Sequence, residues 1–273
     1  MGRGYGSVRG KKVLITGVHG LIGNIVYERL AERGCQVYGL ARRRASSDRI
    51  PEEQLHRVPD ERFYLADLTD LEAVQCAVNG KAVVIHMAAD ADGLSGWETI
   101  MPSNVVGTYH VFEASRRAGV GRVILASSIQ VSFGYQDTEP YQALFEARYE
   151  DVRGTILPVT HRDPPRPPNL YAASKVWGEA LAHVYAQQYG MSCLCVRIGW
   201  VVADDVPPNQ VAITQWCSQR DIAQLIQRCV AAPEDLRFDI FYGVSDNPYL
   251  WVDLEHARAV LGYVPEDRAP DPS

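Results

Sequence analysis

The sequence predicts an α/β fold built on a doubly wound parallel sheet. Three observations predict it. Short, continuously apolar runs alternate with amphipathic stretches through the first two thirds of the 273 residues. Strands buried on both faces read in this way. The first run, 13–16, ends in Gly17, Gly20 and Gly23 at three-residue spacing. Ile22, Ile25, Val26 and Leu30 then recur at helical spacing, so the glycines fall where a strand turns into a helix. Bare N–H groups at a helix start form an anion site, and glycine lets a phosphate come close to the backbone.

Each element follows from its own signal. Strand 13–16 leads into helix 21–33, which Gly34 ends as a residue suited to the left-handed cap. Strands are expected at 35–41 and 62–65. A helix follows at 71–78, with Asp70 as N-cap and Gly80 beyond its end. The apolar run 82–86 is a fourth strand, 105–118 a helix and 122–126 a fifth strand. The Pro-rich run 164–168 enters a long helix at 170–189, and 194–198 is a sixth strand. The domain reading is a flexible tail at 1–10, a dinucleotide-binding unit at 11–200 carrying an insertion at 133–168, and a small substrate-binding part at 201–273. Within the insertion, Tyr141, Leu144, Phe145, Tyr149 and Val152 recur at helical spacing. That fits either an extra helix packed on the core or a lid over the site.

Composition narrows the partners. The chain is 47% hydrophobic and 22% charged, with net charge −6 and a pI near 5.7. An acidic balance argues against nucleic-acid or membrane-surface binding, since both need a basic face. No apolar run reaches membrane-spanning length, and residues 1–10 lack the apolar core of a signal peptide. The six cysteines show no C-x-x-C spacing, which favours free thiols in a reducing cytoplasm and no metal site among them. Cys193 and Cys195 should share one face of a strand.

Ligands of such sheets bind at the carboxyl ends of the strands. Past the second strand the chain reads Ala41, Arg42, Arg43, Arg44. NAD sites place an acidic residue here for the ribose hydroxyls, whereas arginine grips a 2′-phosphate. The run therefore favours NADP over NAD through Arg42 and Arg43, although solvated surface charge remains the simpler account of at least one arginine. Asp67 and Leu68 suit an adenine-edge contact, and Met87, Ala88 and Ala89 are mostly small enough for a ligand to lie against the strand end. Tyr171 and Lys175 are i and i+4 on the long helix, so they share a face. A nearby ammonium favours the phenolate and should lower the tyrosine pKa. Ser127 and Ser128 follow the fifth strand at its carboxyl end, where a hydroxyl can hold a reacting oxygen.

Taken together, Thr16-Gly17-x-x-Gly20-x-x-Gly23, Asp67-Leu68, His86-Met87-Ala88-Ala89, Asn104-Val105-x-Gly107-Thr108, Ser127-Ser128 and Tyr171-x-x-x-Lys175 resemble the extended short-chain dehydrogenases/reductases. The resemblance implies a Rossmann-type fold and hydride transfer with a nicotinamide. It implies Tyr171 as acid/base, Lys175 as its partner and a ribose ligand, Ser128 as the group orienting substrate, and Asn104 behind them. It adds Gly17, His19, Gly20, Leu21, Ile22 and Ile198 to the cofactor contacts. The segments Arg197-Ile198-Gly199, Thr214-Gln215-Trp216, Asp221-Ile222-Ala223, Gly243–Asn247, Trp251-x-Asp253 and Leu261-Gly262-Tyr263 are similar to uronate dehydrogenases, within the NAD-dependent epimerase/dehydratase group. Those enzymes oxidise C1 of a hexuronate using NAD.

Three departures limit the carry-over. Ala41 replaces the acidic NAD-selecting residue. Ile129 and Gln130 stand where Asn-His would touch the substrate. Val211 aligns near the carboxylate-gripping arginine and cannot hold an anion. Substrate contacts are therefore expected from Ser128, Ile129, Gln130, Gly199 and Val211, with His161, Arg162 and Arg166 as candidate replacements for lost polar contacts. The leading reading is an NADP-dependent oxidoreductase acting on the hydroxyl or carbonyl of a sugar-like small molecule. A nucleotide-sugar epimerase/dehydratase, an NAD-dependent uronate dehydrogenase and a non-catalytic NADP-binding regulator are the alternatives. A homodimer formed through helices 105–118 and 170–189 is implied by the same resemblance.

Overall fold

A computed structural model describes residues 6–272. Seven parallel strands form one sheet in the order β3-β2-β1-β4-β5-β6-β7. They are β1 (Lys12–Thr16), β2 (Gln36–Ala41), β3 (Phe63–Leu65), β4 (Val83–His86), β5 (Arg122–Ser128), β6 (Ser192–Ile198) and β7 (Phe238–Gly243). The helices are α1 (Leu21–Glu32), α2 (Leu71–Val78), α3 (Trp97–Ile100), α4 (Gly107–Arg117), α5 (Tyr141–Phe145), α6 (Leu170–Tyr189), α7 (Gln219–Ala231) and α8 (Glu255–Leu261). β1 pairs with β2 on one side and with β4 on the other. The strand order therefore reverses beside β1, and ligand crevices of open α/β sheets lie at such a switch point.

The sheet divides the interior into two apolar layers. On one face Val13, Ile15, Ile85, Ile124 and Val196 pack with α1 and α7. On the other, Leu14, Val84, Val123 and both Cys193 and Cys195 pack with α2, α4 and α6. The period of two that puts the two thiols together is thus realised. All six cysteines are free, and Cys76 alone among them is exposed.

Local chemistry sets the boundaries. The Asp70 carboxylate caps α2 by accepting from Ala73 N–H at 3.0 Å, and Asn169 caps α6 through Ala172 N–H at 2.8 Å. α6 ends at Gly190, at φ +66°. The helix read at 105–118 begins instead with a π-helical stretch, Met101–Val106, before α4. That wider turn carries the Asn104 side chain to the loop after β4, where it accepts from Asp90 N–H at 2.8 Å and donates to Asp90 C=O at 2.9 Å.

Two further readings change. Residues 1–5 of the expected tail lie outside the described residues. From Gly6 onward the chain is attached: Gly6 N–H donates to Ala231 C=O at 2.9 Å, and Val8 is buried in the larger layer. The single helix expected around Tyr141–Val152 is broken. α5 covers five residues and a short 3-10 turn, Tyr149–Asp151, follows. Between them Ala147 takes φ +55°, a left-handed conformation that ends an α-helix. Arg148 sits at this break and pairs with Glu139, Glu146 and Asp151. The apolar residues still turn inward: Phe133, Tyr141 and Phe145 surround Trp251 with ring centroids 5.2–6.4 Å from it.

Candidate active site

The glycine turn is shaped by close approach. Gly17 has φ +71°, and a Cβ on it would come within 2.7 Å of Ala88 N. A Cβ on Gly23 would meet Gly17 O at 2.3 Å. Larger residues would therefore prise the turn away from β4 and from the start of α1. Behind it, Thr16 Oγ1 lies 2.8 Å from His86 Nδ1 and accepts from Ala88 N–H at 3.2 Å. The other ring nitrogen of His86 meets Thr108 Oγ1 at 3.0 Å. His86 is wholly enclosed, and burial, then the Lys175 charge, lowers its pKa to about 3. A neutral imidazole thus ties β1, β4 and α4 together beneath the turn.

One cleft of about 1070 Å³ runs from this turn to the ends of β5 and β6. That volume stands near the upper end of the roughly 300–1,000 Å³ typical of small-molecule sites. The sequence-predicted residues Gly17, His19, Gly20, Leu21, Ile22, Arg42, Arg43, Asp67, Leu68, Met87, Ala88, Ala89, Ser128, Ile129, Gln130, Tyr171, Lys175, Ile198 and Gly199 all line it. Asn104 and Val211 do not. Asn104 is buried behind the site, holding Asp90 as described and donating to Ser174 Oγ at 3.1 Å. Val211 lies in a 3-10 turn, Val211–Gln215, and Gln215 from that turn reaches the cleft. Asp90, Asp92, Arg49 and Phe133 also line it and were not singled out by sequence. Asp90 directly follows the small residues after β4, which was the available signal.

At one end the loop after β2 is bonded to the glycine turn. His19 Nδ1 donates to Arg43 C=O at 2.9 Å, and Ser47 N–H donates to His19 C=O at 2.9 Å. Arg44 points elsewhere, pairing with Asp60 and lying over Phe63. Arg42 and Arg43 make no side-chain ion pair among the described residues, and both are exposed in the cleft. The loop thus brings cations, and no carboxylate of its own, to the end of β2.

At the other end, Lys175 Nζ donates to Ala126 C=O at 2.7 Å and lies 5.6 Å from the Tyr171 ring centroid. Both residues are buried. Burial brings the Lys175 pKa down to about 8, with the Glu179 carboxylate pulling upward. Tyr171 departs from expectation, since its pKa is raised. Burial pushes it up, a hydrogen bond from the Ser128 hydroxyl works against this, and the Asp90 charge adds to the rise. The nearby Lys175 ammonium, which donates to Ala126 C=O, does not bring the Tyr171 pKa below its ordinary value. Ser127 points away from Ser128, donating to Glu179 Oε1 at 2.6 Å. Glu179 also accepts two bonds from Arg197, at 2.9 Å each, and Arg197 donates to Tyr242 OH at 2.8 Å. This enclosed ion pair pins α6 to β6 and β7, so Tyr171 and Lys175 stand on a fixed frame.

The candidate replacements for lost polar contacts lie away from the cleft. Arg166 covers the Tyr135 ring at 4.2 Å, and His161 stacks on His256 at 4.0 Å. Arg162 is exposed and does not line the cleft.

A switch-point cleft, a glycine cradle that a Cβ would fill, and a buried Ser-Tyr-Lys group at its far end define a dinucleotide-binding oxidoreductase. The chain belongs to the NAD dependent epimerase/dehydratase family, whose model matches residues 13–233. It is 33% identical over 263 residues to the NAD-dependent glucose-6-phosphate dehydrogenase of Haloferax volcanii, covering 94% of each chain. It is 34% identical over 259 residues to the uronate dehydrogenase of Pseudomonas putida, covering 94% of this chain and 84% of that one. Among solved structures, a tyrosine-to-alanine mutant of uronate dehydrogenase from Agrobacterium tumefaciens, complexed with NAD, superposes with a TM-score of 0.76 at 27% identity, covering 95% of this chain and 86% of that one. The chain is a nicotinamide-dependent dehydrogenase/reductase.

Proposed function

We propose that this enzyme is an NADP-preferring dehydrogenase of an uncharged, polyhydroxylated sugar. The observation that carries the substrate class is the distribution of charge along the cleft. Its lining arginines are Arg42, Arg43 and Arg49, all on the loop after β2. Around Ser128 and Tyr171 the lining offers acceptors and no arginine, and the cation there, Lys175, is already bonded to Ala126 C=O. Gln215 Oε1 is buried without a hydrogen-bond partner among the described residues. Asp90, although burial pushes its pKa up, is held below the ordinary range by hydrogen bonds from Asp92 N–H, Ser95 and Thr99 and by the Arg42 charge. Hydroxyl groups satisfy such acceptors. A uronate carboxylate or a sugar phosphate would meet like charge and find no arginine to grip it.

Gly17, Gly20 and the start of α1 hold the pyrophosphate, and Arg42 with Arg43 holds the 2′-phosphate. Lys175 binds the nicotinamide ribose. When bound, the nicotinamide supplies or accepts the hydride. Ser128 orients the reacting oxygen. Tyr171, protonated at neutral pH in the free enzyme, donates its proton in reduction. In oxidation only the deprotonated form of Tyr171 can accept the substrate hydroxyl proton, so oxidation should speed up as pH rises. Exposed Tyr109 on α4 and exposed Val184 and Tyr189 on α6 are consistent with a homodimer through these helices. The free thiols fit a cytoplasmic enzyme.

Nicotinamide absorbance with NADP⁺ or NAD⁺ and a panel of aldoses, uronates and sugar phosphates tests this reading. The expected result is turnover of a neutral aldose with kcat/KM at least tenfold above glucuronate, galacturonate and glucose 6-phosphate. Tyr171→Phe should lose about 10²–10⁴-fold in kcat while keeping cofactor affinity. Faster turnover of a uronate would overturn the substrate class. Cofactor that survives purification, with no net redox change on turnover, would favour the epimerase alternative.

A further inference from the structure

On the outer side of β7, far along the strand from the cleft, three metal-ligating side chains converge from three separate elements. Asp239 is the second residue of β7, His256 lies in α8, and His161 lies in the segment between α5 and α6. Each offers a ligand atom, and the three atoms lie within 4.8 Å of one another. We propose that His161, Asp239 and His256 form a binding site for a divalent cation of the zinc class, which ties segment 133–168 to β7 and α8.

The backbone already delivers these residues to one place. Val159 N–H donates to Trp251 C=O at 2.8 Å, and Asp253 N–H donates to Val159 C=O at 3.0 Å. His161 is two residues beyond this bridge and His256 four residues beyond its partner, Val252. Phe241 stacks on the His256 ring at 5.2 Å and holds it in place, while the His161 ring, 4.0 Å from His256, is the one free to turn toward Asp239. His256 Nε2 and Asp239 Oδ1 are 2.7 Å apart. His161 Nδ1 is buried and has no hydrogen-bond partner among the described residues. A buried ring nitrogen left unpaired beside an imidazole and a carboxylate lacks one bond, which a cation supplies.

Donor type and spacing set the class of ion. Two imidazoles and one carboxylate suit zinc and its first-row neighbours, whereas magnesium and calcium prefer all-oxygen sets. Zinc binds such donors at about 2.0–2.2 Å, so tetrahedral ligand atoms stand about 3.3 Å apart. Binding requires the His256–Asp239 hydrogen bond to open and the His161 ring to turn out of its stack on His256, so that the ion lies in the plane of both rings. His256 and Asp239 keep side-chain exposures of 20% and 14%, which leaves a path for entry and for a water as fourth ligand. The role is structural: the clamp lies on the segment whose ends carry Phe133 and α6 to the cleft.

The full-length protein, stripped with chelator, is titrated with Zn²⁺ by calorimetry and with Co²⁺ by visible absorption. One equivalent should bind, with cobalt d–d bands and no strong thiolate charge-transfer band, and the melting temperature should rise with Zn²⁺ concentration. His161→Ala and His256→Ala should each weaken binding by about 100-fold or more and abolish the d–d bands. Cys76→Ala, removing the exposed thiol, should leave them unchanged. Asp239→Asn, which keeps the side-chain shape, provides the same test if a histidine variant fails to fold. Absence of the bands in the parent protein, or their persistence in the histidine variants, overturns the site.

Discussion

Ala41 shows how much a single missing carboxylate decides. It ends β2 and lines the cleft, with Arg42 and Arg43 beside it. An acidic side chain there would accept from ribose hydroxyls and repel a 2′-phosphate. On the proposed preference for NADP, Ala41→Asp should lower kcat/KM for NADP relative to NAD by at least tenfold. Paired initial-rate measurements with the two cofactors check this. The Ser128, Tyr171 and Lys175 positions were legible because each is a residue type set at a fixed place on a recognisable element. Their ionisation was not. Tyr171 and Lys175 are both governed first by burial, and how deeply the start of α6 sinks into the molecule is a property of the whole packing.

Among the elements, the segment from Phe133 to Pro168 tests whether an insertion is packed or hovering. Leu144 is fully buried in the larger apolar layer, and its neighbours close around Trp251. Leu144→Ala should cost about 2–5 kcal/mol of stability, read as a lower urea midpoint, with cofactor affinity retained. A cost near zero would show that this segment contributes no core. β1 to β6 were readable because their residues are continuously apolar or nearly so. β7 was not, since Asp239 interrupts its run and its first three residues are only partly buried at the sheet edge. α7 carries a full helical signal, with Ile222, Leu225, Ile226 and Cys229 at helical spacing after Ser218, which extends well beyond the Asp221-Ile222-Ala223 motif. The π-helical turn before α4 had no signal, because it exists to bring Asn104 to a loop distant in sequence.

For the whole molecule, enclosed bases make stability depend on pH. The His86 pKa is about 3 in the folded chain against an ordinary 6.5. Between these values the unfolded chain binds the extra proton, so stability falls as pH drops through this window. The slope from one such group is up to about 1.4 kcal/mol per pH unit. Denaturant midpoints should decline from pH 6.5 to 5, and His86→Asn should flatten that decline. Glu113, whose pKa Arg116 hydrogen bonding lowers to about 2 against burial, adds its own loss only below its ordinary 4.5. Lys175 has the same sign in a higher window, its burial cost fading as pH rises from about 8 towards 10.5.

The contact between Gly17 and the Ala88 peptide has a thermodynamic consequence. With less than a methyl group's clearance, the two strand ends cannot approach further. The imidazole of His86, itself on β4, bonds to Thr16 at the end of β1 and keeps the two from drifting apart. The width of the phosphate cradle is thus settled during folding, before any ligand arrives. Association then spends little free energy on ordering the chain, and contacts with the dinucleotide are converted into affinity with small loss.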